Sequence, residues 1–250
     1  MSPLIEGLVG ASEARRRIAA PGYDKVSKPR DLVRSARESR ARGLIPIIAE
    51  IKPRILSRPL KPGEAAQMAR SYQEMGACAV SVLTEPTYFL GSIASLPEAR
   101  AACDIPVLRK DFILDKIQLR EVEADLVLLI ATLPIDVQDM INASRFLGME
   151  PLVEVHTEEE LHSVLKTDAR LVGINNRNLA TLEVDLATFE RLGPLARDAG
   201  VFVVAESGVY SRQDALCMVQ AGADAILVGT SLMKSPRSLR ELCGLASRDE

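Results

Sequence analysis

The chain has no long apolar run. Its longest, Leu126–Ala131, falls far short of the ~20 residues that cross a bilayer. The N-terminus, Met1-Ser-Pro-Leu-Ile-Glu6, lacks a basic stretch followed by an apolar signal core. Histidine is scarce: His156 and His162 are the only two, too few for a histidine-rich metal centre. The four cysteines, Cys78, Cys103, Cys217 and Cys243, include no close pair, so neither a disulfide framework nor a zinc site is suggested. A net charge of −3 gives no electrostatic case for nucleic acid, which favours a basic patch. No low-complexity tract or linker divides the chain. Together these absences imply a soluble, cytoplasmic protein without metal, bound to neither nucleic acid nor membrane.

What is present is ordinary globular material, 47% apolar and 26% charged, in 250 residues that can bury a substantial core. The first ~45 residues are rich in Arg and Lys, with helical patches such as Asp31 to Arg42. Short runs of Val, Ile and Leu then recur near 46–51, 79–84, 106–111, 126–131, 151–155, 171–175, 201–206 and 225–229. Amphipathic stretches separate most of them. Thr157-Glu-Glu-Glu160 reads as a capping box, and Ser235-Pro236 as a cap followed by proline in the first helical turn. Gly76 and Gly222 stand where helices should end.

Eight such β-α units fit a closed (β/α)8 TIM barrel. An open doubly wound sheet would carry a glycine-rich loop after the first strand, and Pro53-Arg-Ile-Leu-Ser57 is not one. The expectation is one barrel domain over 1–250, with 1–45 as an N-terminal helical extension lying against a barrel of 46–245.

The candidate strands run from apolar to ionisable at the same end. Glu50 and Lys52 end the first, Lys110 the third, Glu154 the fifth, Asn175 the sixth and Glu206 the seventh. Residues two apart share a strand face. Ile48, Glu50 and Lys52 therefore point one way, as do Leu108 with Lys110 and Leu152 with Glu154, apolar members filling the barrel and charged ones at its mouth. A solvated strand end explains any one of these. It does not explain two lysines, three glutamates and an asparagine at equivalent positions. Burial lowers a lysine pKa and carboxylates raise it, so such a balance can tune an acid.

A second cluster follows the last two strands. In barrels of this kind the loops Glu206-Ser207-Gly208 and Gly229-Thr230-Ser231 sit where backbone N–H groups cradle a phosphate, and Arg177 can add a charge-assisted contact. The plainer reading makes these glycines turns only.

Taken together, the segments Ile47-Ile-Ala-Glu-Ile-Lys52, Ser81-Val-Leu-Thr-Glu85, Phe89-Leu-Gly-Ser92 and Pro106-Val-Leu-Arg-Lys-Asp-Phe-Ile113 resemble the indole-3-glycerol-phosphate synthase family. The resemblance continues through Leu147–Val155, Gly173-Ile-Asn-Asn-Arg177, Val204-Ala-Glu-Ser-Gly208 and Val228-Gly-Thr-Ser-Leu-Met233, and covers roughly 45 to 245. It implies ring closure, decarboxylation and dehydration of a carboxyphenylamino-deoxyribulose phosphate, a step of tryptophan biosynthesis, with no cofactor. It also implies Lys110 as general acid, Glu154 as acid/base for the closing steps, and Lys52 on the substrate carboxylate. Glu50 and Asn175 would position these groups. Ser207, Gly208, Gly229 and Thr230 would bind phosphate, Phe89 would pack on the anthranilate ring, and Arg177 and Glu206 would complete the substrate contacts. The expected partner is a phosphorylated small molecule, and the expected state a monomer or weak homo-oligomer.

Three places depart from the family pattern. The family loop after the first strand runs Lys-x-x-Ser-Pro-Ser, whereas Ile55 and Leu56 stand at the first serine and the proline here, with Pro59-Leu-Lys-Pro62 beyond. Between Gln118 and Asp125 the family's helix is about one turn longer and ends in a glycine. Asn178 replaces an aspartate. Two rivals remain: an isomerase of the phosphoribosylanthranilate type, which needs a cysteine at the end of strand one where the nearest is Cys78, and a non-catalytic diverged barrel.

Overall fold

The computed structural model describes residues 3–244. Met1, Ser2 and 245–250 lie outside the described residues, and with them the first two residues of the segment read for a leader and the last residue of the expected barrel span.

Two helices come first, α1 (Pro3–Arg16) and α2 (Leu32–Ala41). Next are β1 (Ile47–Ile51), a 3-10 turn (Pro53–Leu56), α3 (Glu64–Glu74), β2 (Ala79–Leu83), α4 (Pro86–Phe89), α5 (Ser95–Ala102), β3 (Val107–Lys110) and α6 (Lys116–Leu119). They are followed by β4 (Leu126–Ile130), α7 (Val137–Phe146), β5 (Glu150–Val155), α8 (Glu158–Val164), β6 (Leu171–Asn175) and α9 (Ala187–Asp198). The chain finishes with β7 (Phe202–Glu206), α10 (Arg212–Gln220), β8 (Ala225–Val228), α11 (Thr230–Lys234) and α12 (Ser238–Cys243). All eight strands pair in parallel, and β1 bonds to both β2 and β8, closing a (β/α)8 barrel.

Both faces of each strand are covered, which is why the strands read as near-continuous apolar runs. Alternation sorts them into two cores. Ile48, Leu108, Leu128, Leu152, Leu171, Val204 and Leu227 fill the barrel. Their odd-step neighbours, among them Ala49, Val107, Val153, Val172, Val203 and Ile226, meet the helices through Ala69, Leu96, Leu161, Phe189 and Met218.

The N-terminal extension holds two helices at opposite ends of the barrel. At the mouth, Arg15 of α1 makes paired hydrogen bonds of 2.8 and 2.9 Å to Asp111, and the Ser12 hydroxyl donates to the Phe112 carbonyl. At the base, α2 donates from Ser35 Oγ to Cys78 O and from Arg40 to Ala223 O. The segment between them runs down the outside of the barrel, where Tyr23 Oη donates to Leu119 O and Val26 N to Leu147 O. The helical extension expected from the sequence consists of two helices, and the irregular stretch 17–31 between them lets the chain serve both ends.

Two cap readings change in the structure. Thr157 Oγ1 does accept from Glu160 N–H at 3.2 Å, but the Glu160 carboxylate turns away from the Thr157 backbone. It takes the His156 N–H at 2.7 Å and the Thr132 hydroxyl at 2.8 Å, so the reciprocal half of the box is not made. Pro236 does not open α12 either: the helix begins at Ser238, and Ser235 contributes its carbonyl, which accepts from Ser238, rather than a side-chain cap. Gly76 and Gly222 do follow α3 and α10, with φ of +99° and +107°, where a side chain would be strained.

Candidate active site

The C-terminal strand ends line a cavity that opens to solvent, with apolar walls and a few convergent charged groups. Lys110 stands at its centre. The ammonium donates to Glu206 Oε2 in a short contact and to Glu154 Oε2 at 3.4 Å. Burial opposes its charge, but the carboxylates of Glu206, Glu154 and Glu50 outweigh burial and hold its pKa above the usual lysine value. Lys110 is therefore an ammonium at neutral pH, able to give a proton rather than take one.

The two glutamates are unequally supplied. Glu154 also accepts from Asn175 Nδ2 at 3.0 Å, and His156 Nε2 lies 3.1 Å away. Burial pushes its pKa up, and Lys110, His156 and Asn175 more than reverse the push, keeping it ionised well below the usual carboxylate range. Glu206 accepts from Lys110, its Oε1 is buried without a hydrogen-bond partner, and burial together with the neighbouring Glu154 carboxylate raises its pKa to about 8.

The register that pairs Asn175 with Glu206 turns the Glu206 side chain into the barrel interior, and it does not line the cavity. That differs from the expected direct substrate contact. The room comes from Gly173, where an added Cβ would stand 2.2 Å from Glu206 Oε1.

The other expected residues all line the cavity. Lys52 sits 3.8 Å from Glu50 Oε1 and 5.6 Å over the Phe89 ring. Phe89 stacks on Phe112 with centroids 6.1 Å apart. Gly229 lines the wall beside Thr230, and an added Cβ there would approach Glu50 Oε1 to 2.4 Å. Its missing side chain thus admits a carboxylate as well as exposing backbone. Ser207 and Gly208 both adopt left-handed backbone, φ +66° and +84°, and Asn176 Nδ2 holds the Ser207 carbonyl at 3.0 Å. Arg177 reaches the cavity with one guanidinium N–H committed to Leu182 O at 2.8 Å.

Sequence reasoning missed several residues here. Asp111 lines the cavity and fixes the end of β3, accepting from Thr84 Oγ1 at 2.7 Å and from Arg15. Phe112 and the apolar patch of Leu83, Leu128, Ile130 and Leu227 provide a surface for a flat ring. His156 counts in the sequence only as a rare residue, although its place just past the end of β5, two residues after Glu154, was a usable signal.

None of residues 53–62 lines the cavity, so the departing loop lies outside it. Arg54 donates to Tyr88 O at 2.6 Å and Arg58 pairs twice with Glu64 at 2.8 Å, which ties the loop to its neighbours. The shortened α6 is capped by Asp115 and Gln118, and the buried Arg109 donates to Gln118 O and to Glu121 at 2.7 Å. Asn178 accepts from Ala180 N and Thr181 N, the turn bonds an aspartate would make.

Residues 9–242 match the family profile described as indole-3-glycerol phosphate synthase. The chain belongs to the indole-3-glycerol phosphate synthase family. It is 45% identical over 225 residues to the indole-3-glycerol phosphate synthase of Halobacterium salinarum, covering 89% of each chain. It is 42% identical to that of Carboxydothermus hydrogenoformans, over 83% of this chain and 81% of that one, and 47% identical to that of a Parafrankia species, over 82% and 78%. Among solved structures, one described as "Native KDPGal structure" superposes with a TM-score of 0.57 over 79% of this chain and 91% of that one. At 18% identity that likeness speaks for the barrel fold alone. The ionisable strand tips lie at the end where barrel enzymes keep their chemistry. No helix among the described residues is long and apolar enough to cross a membrane.

Proposed function

We propose that this chain is a carboxy-lyase that converts 1-(2-carboxyphenylamino)-1-deoxyribulose 5-phosphate into indole-3-glycerol phosphate, carbon dioxide and water. The observation that carries the reading is Lys110, a buried ammonium at the cavity centre held by carboxylates. It would give its proton to the substrate ketone oxygen as the carboxyl-bearing ring carbon attacks the ketone carbon. The ring then loses carbon dioxide, and the electron pair of the broken bond restores aromaticity. Lys52, above Phe89, would hold the substrate carboxylate and later protonate the departing hydroxyl. Glu154 would remove the last proton from the carbon next to nitrogen, with Glu50 and Asn175 orienting these groups. Ser207, Gly208, Gly229 and Thr230 would bind the phosphate through backbone N–H groups, with Arg177 nearby. The chemistry asks for positioned acids and bases. A single barrel domain acting in the cytoplasm, as a monomer or weak homo-oligomer, completes the proposal.

The test follows product fluorescence on adding the carboxyphenylamino-deoxyribulose phosphate. The chain contains no tryptophan, so the indole signal rises from a low background. Turnover by the wild type with a loss of at least ~10²-fold in Lys110→Ala is the expected result. A folded wild type that binds a phosphate ligand without turnover would overturn the proposal in favour of a non-catalytic barrel.

A further inference from the structure

His156 is the partner of Glu154 that substrate cannot displace. Of the groups around the Glu154 carboxylate, Lys110 and Asn175 line the cavity and His156 does not. Its side chain is 9% exposed. Nε2 lies 3.1 Å from Glu154 Oε1, at ion-pair distance, and is buried without completing a hydrogen bond.

The opposite side of the ring is fixed. Nδ1 lies 3.4 Å from Glu160 Oε2 and 3.3 Å from Thr132 Oγ1. Glu160 in turn accepts the His156 backbone N–H and the Thr132 hydroxyl. The groups facing the ring are therefore Glu154 from β5, Thr132 from the segment after β4 and Glu160 from the first turn of α8. This also accounts for the incomplete capping box: the glutamate that would close it is used to hold the histidine.

We propose that His156, clamped by Glu160 and Thr132, is a positioning residue that keeps Glu154 oriented and anionic when Lys110 turns to the substrate. The proposal deepens the synthase reading and rests on it for its kinetic part. As Lys110 gives up its proton and its charge, Glu154 loses its strongest counter-charge. A group outside the cavity then has to supply one, or the buried carboxylate takes up a proton and ceases to be a base. Burial disfavours a charged ring, but Glu154 and Glu160 outweigh it and raise the His156 pKa to about 9, so the ring carries the charge at neutral pH.

Two measurements test this, one of which needs no turnover. With only two histidines in the chain, ring 15N NMR resolves His156, and His162→Gln assigns it. The ring should be doubly protonated at pH 7.5, and Glu154→Gln should lower its titration. A ring neutral at pH 7.5 overturns the proposal whatever the enzyme's activity, whereas a protonated ring in a wild type without turnover overturns the synthase reading instead. In the kinetic arm, His156→Gln should lower kcat about tenfold, by loss of the positive charge beside Glu154, with KM within about twofold. The acid limb of the kcat–pH profile should move up on the order of one unit. Glu160→Gln should move the limb the same way by less, and it carries the test if His156→Gln does not fold. An unmoved limb with unchanged kcat, in a folded variant, overturns the proposal.

Discussion

The two ends of the barrel are built from the same kinds of charge and use them oppositely. At the base, Asp125 is buried among Arg100 at 3.2 Å, the Arg30 N–H at 3.0 Å and the Val107 N–H at 2.9 Å. Arg145 and Glu150 pair nearby, with the Arg145 guanidinium also reaching Asp168 O at 2.9 Å. Each carboxylate there is met by an arginine, which does not give up its proton. At the mouth, Arg15 and Arg177 lie at the edge, and the cations beside Glu50, Glu154 and Glu206 are lysines. Lys110 is shared between Glu154 and Glu206, and one Glu206 oxygen is left bare. The base is arranged to stay charged; the mouth is arranged to exchange protons.

Substitutions at the two ends should therefore separate activity from stability. The largest expected effect is Lys110→Ala, with kcat down at least ~10²-fold. Its stability should fall less than in base variants, because Glu206 can hold a proton, Glu154 keeps Asn175 and His156, and the cavity admits water. At the base, Asp125→Ala strands buried donors and should destabilise by about 3 kcal/mol in denaturant unfolding, with kcat unchanged. If both variants lost activity and stability in parallel, the contrast between the ends would fail.

A smaller effect comes from pH. His156 binds its proton more tightly folded than unfolded, so its contribution to stability is complete below about 6.5 and fades as pH rises through about 9. Tm should fall across that window, and His156→Gln should flatten the fall; an equal slope in both would remove His156 from the account. The smallest effect sharpens the comparison from outside it. Thr157→Ala deletes the N-cap bond of α8 and an exposed contact to Glu159, and should cost about 1 kcal/mol by thermal unfolding, unless the Glu160 contacts also loosen and kcat drops with it.

Much of this was legible in the chain. The strands were, because both-face burial writes them as apolar runs. So was the inward direction of Glu50, Lys110, Glu154 and Asn175, because a period of two leaves no choice once Ile48, Leu108, Leu152 and Leu171 face the core. The helix ends were read less well. Glu160 fits a local cap pattern, but the His156 N–H and the Thr132 hydroxyl outside its helix took its carboxylate, and α12 begins two residues after Pro236. The extension was legible as helical but not in its placement, since nothing local says which end of a barrel a helix will cover.

Sequence by itself determined the order of the strands, the face each ionisable tip presents, and the glycines that open space beside them. These follow from covalent geometry and the cost of leaving apolar surface in water. Only the tertiary structure decided which carboxylate Lys110 shares with which, why Glu206 withdraws while Glu154 meets the cavity, and that His156 lies against Glu154. Lys110 and Glu206 are 96 residues apart, and their contact exists only after the barrel has closed with one register around its whole circumference. Burial and pairing then set each group's proton affinity, and both are properties of the surroundings rather than of the residue.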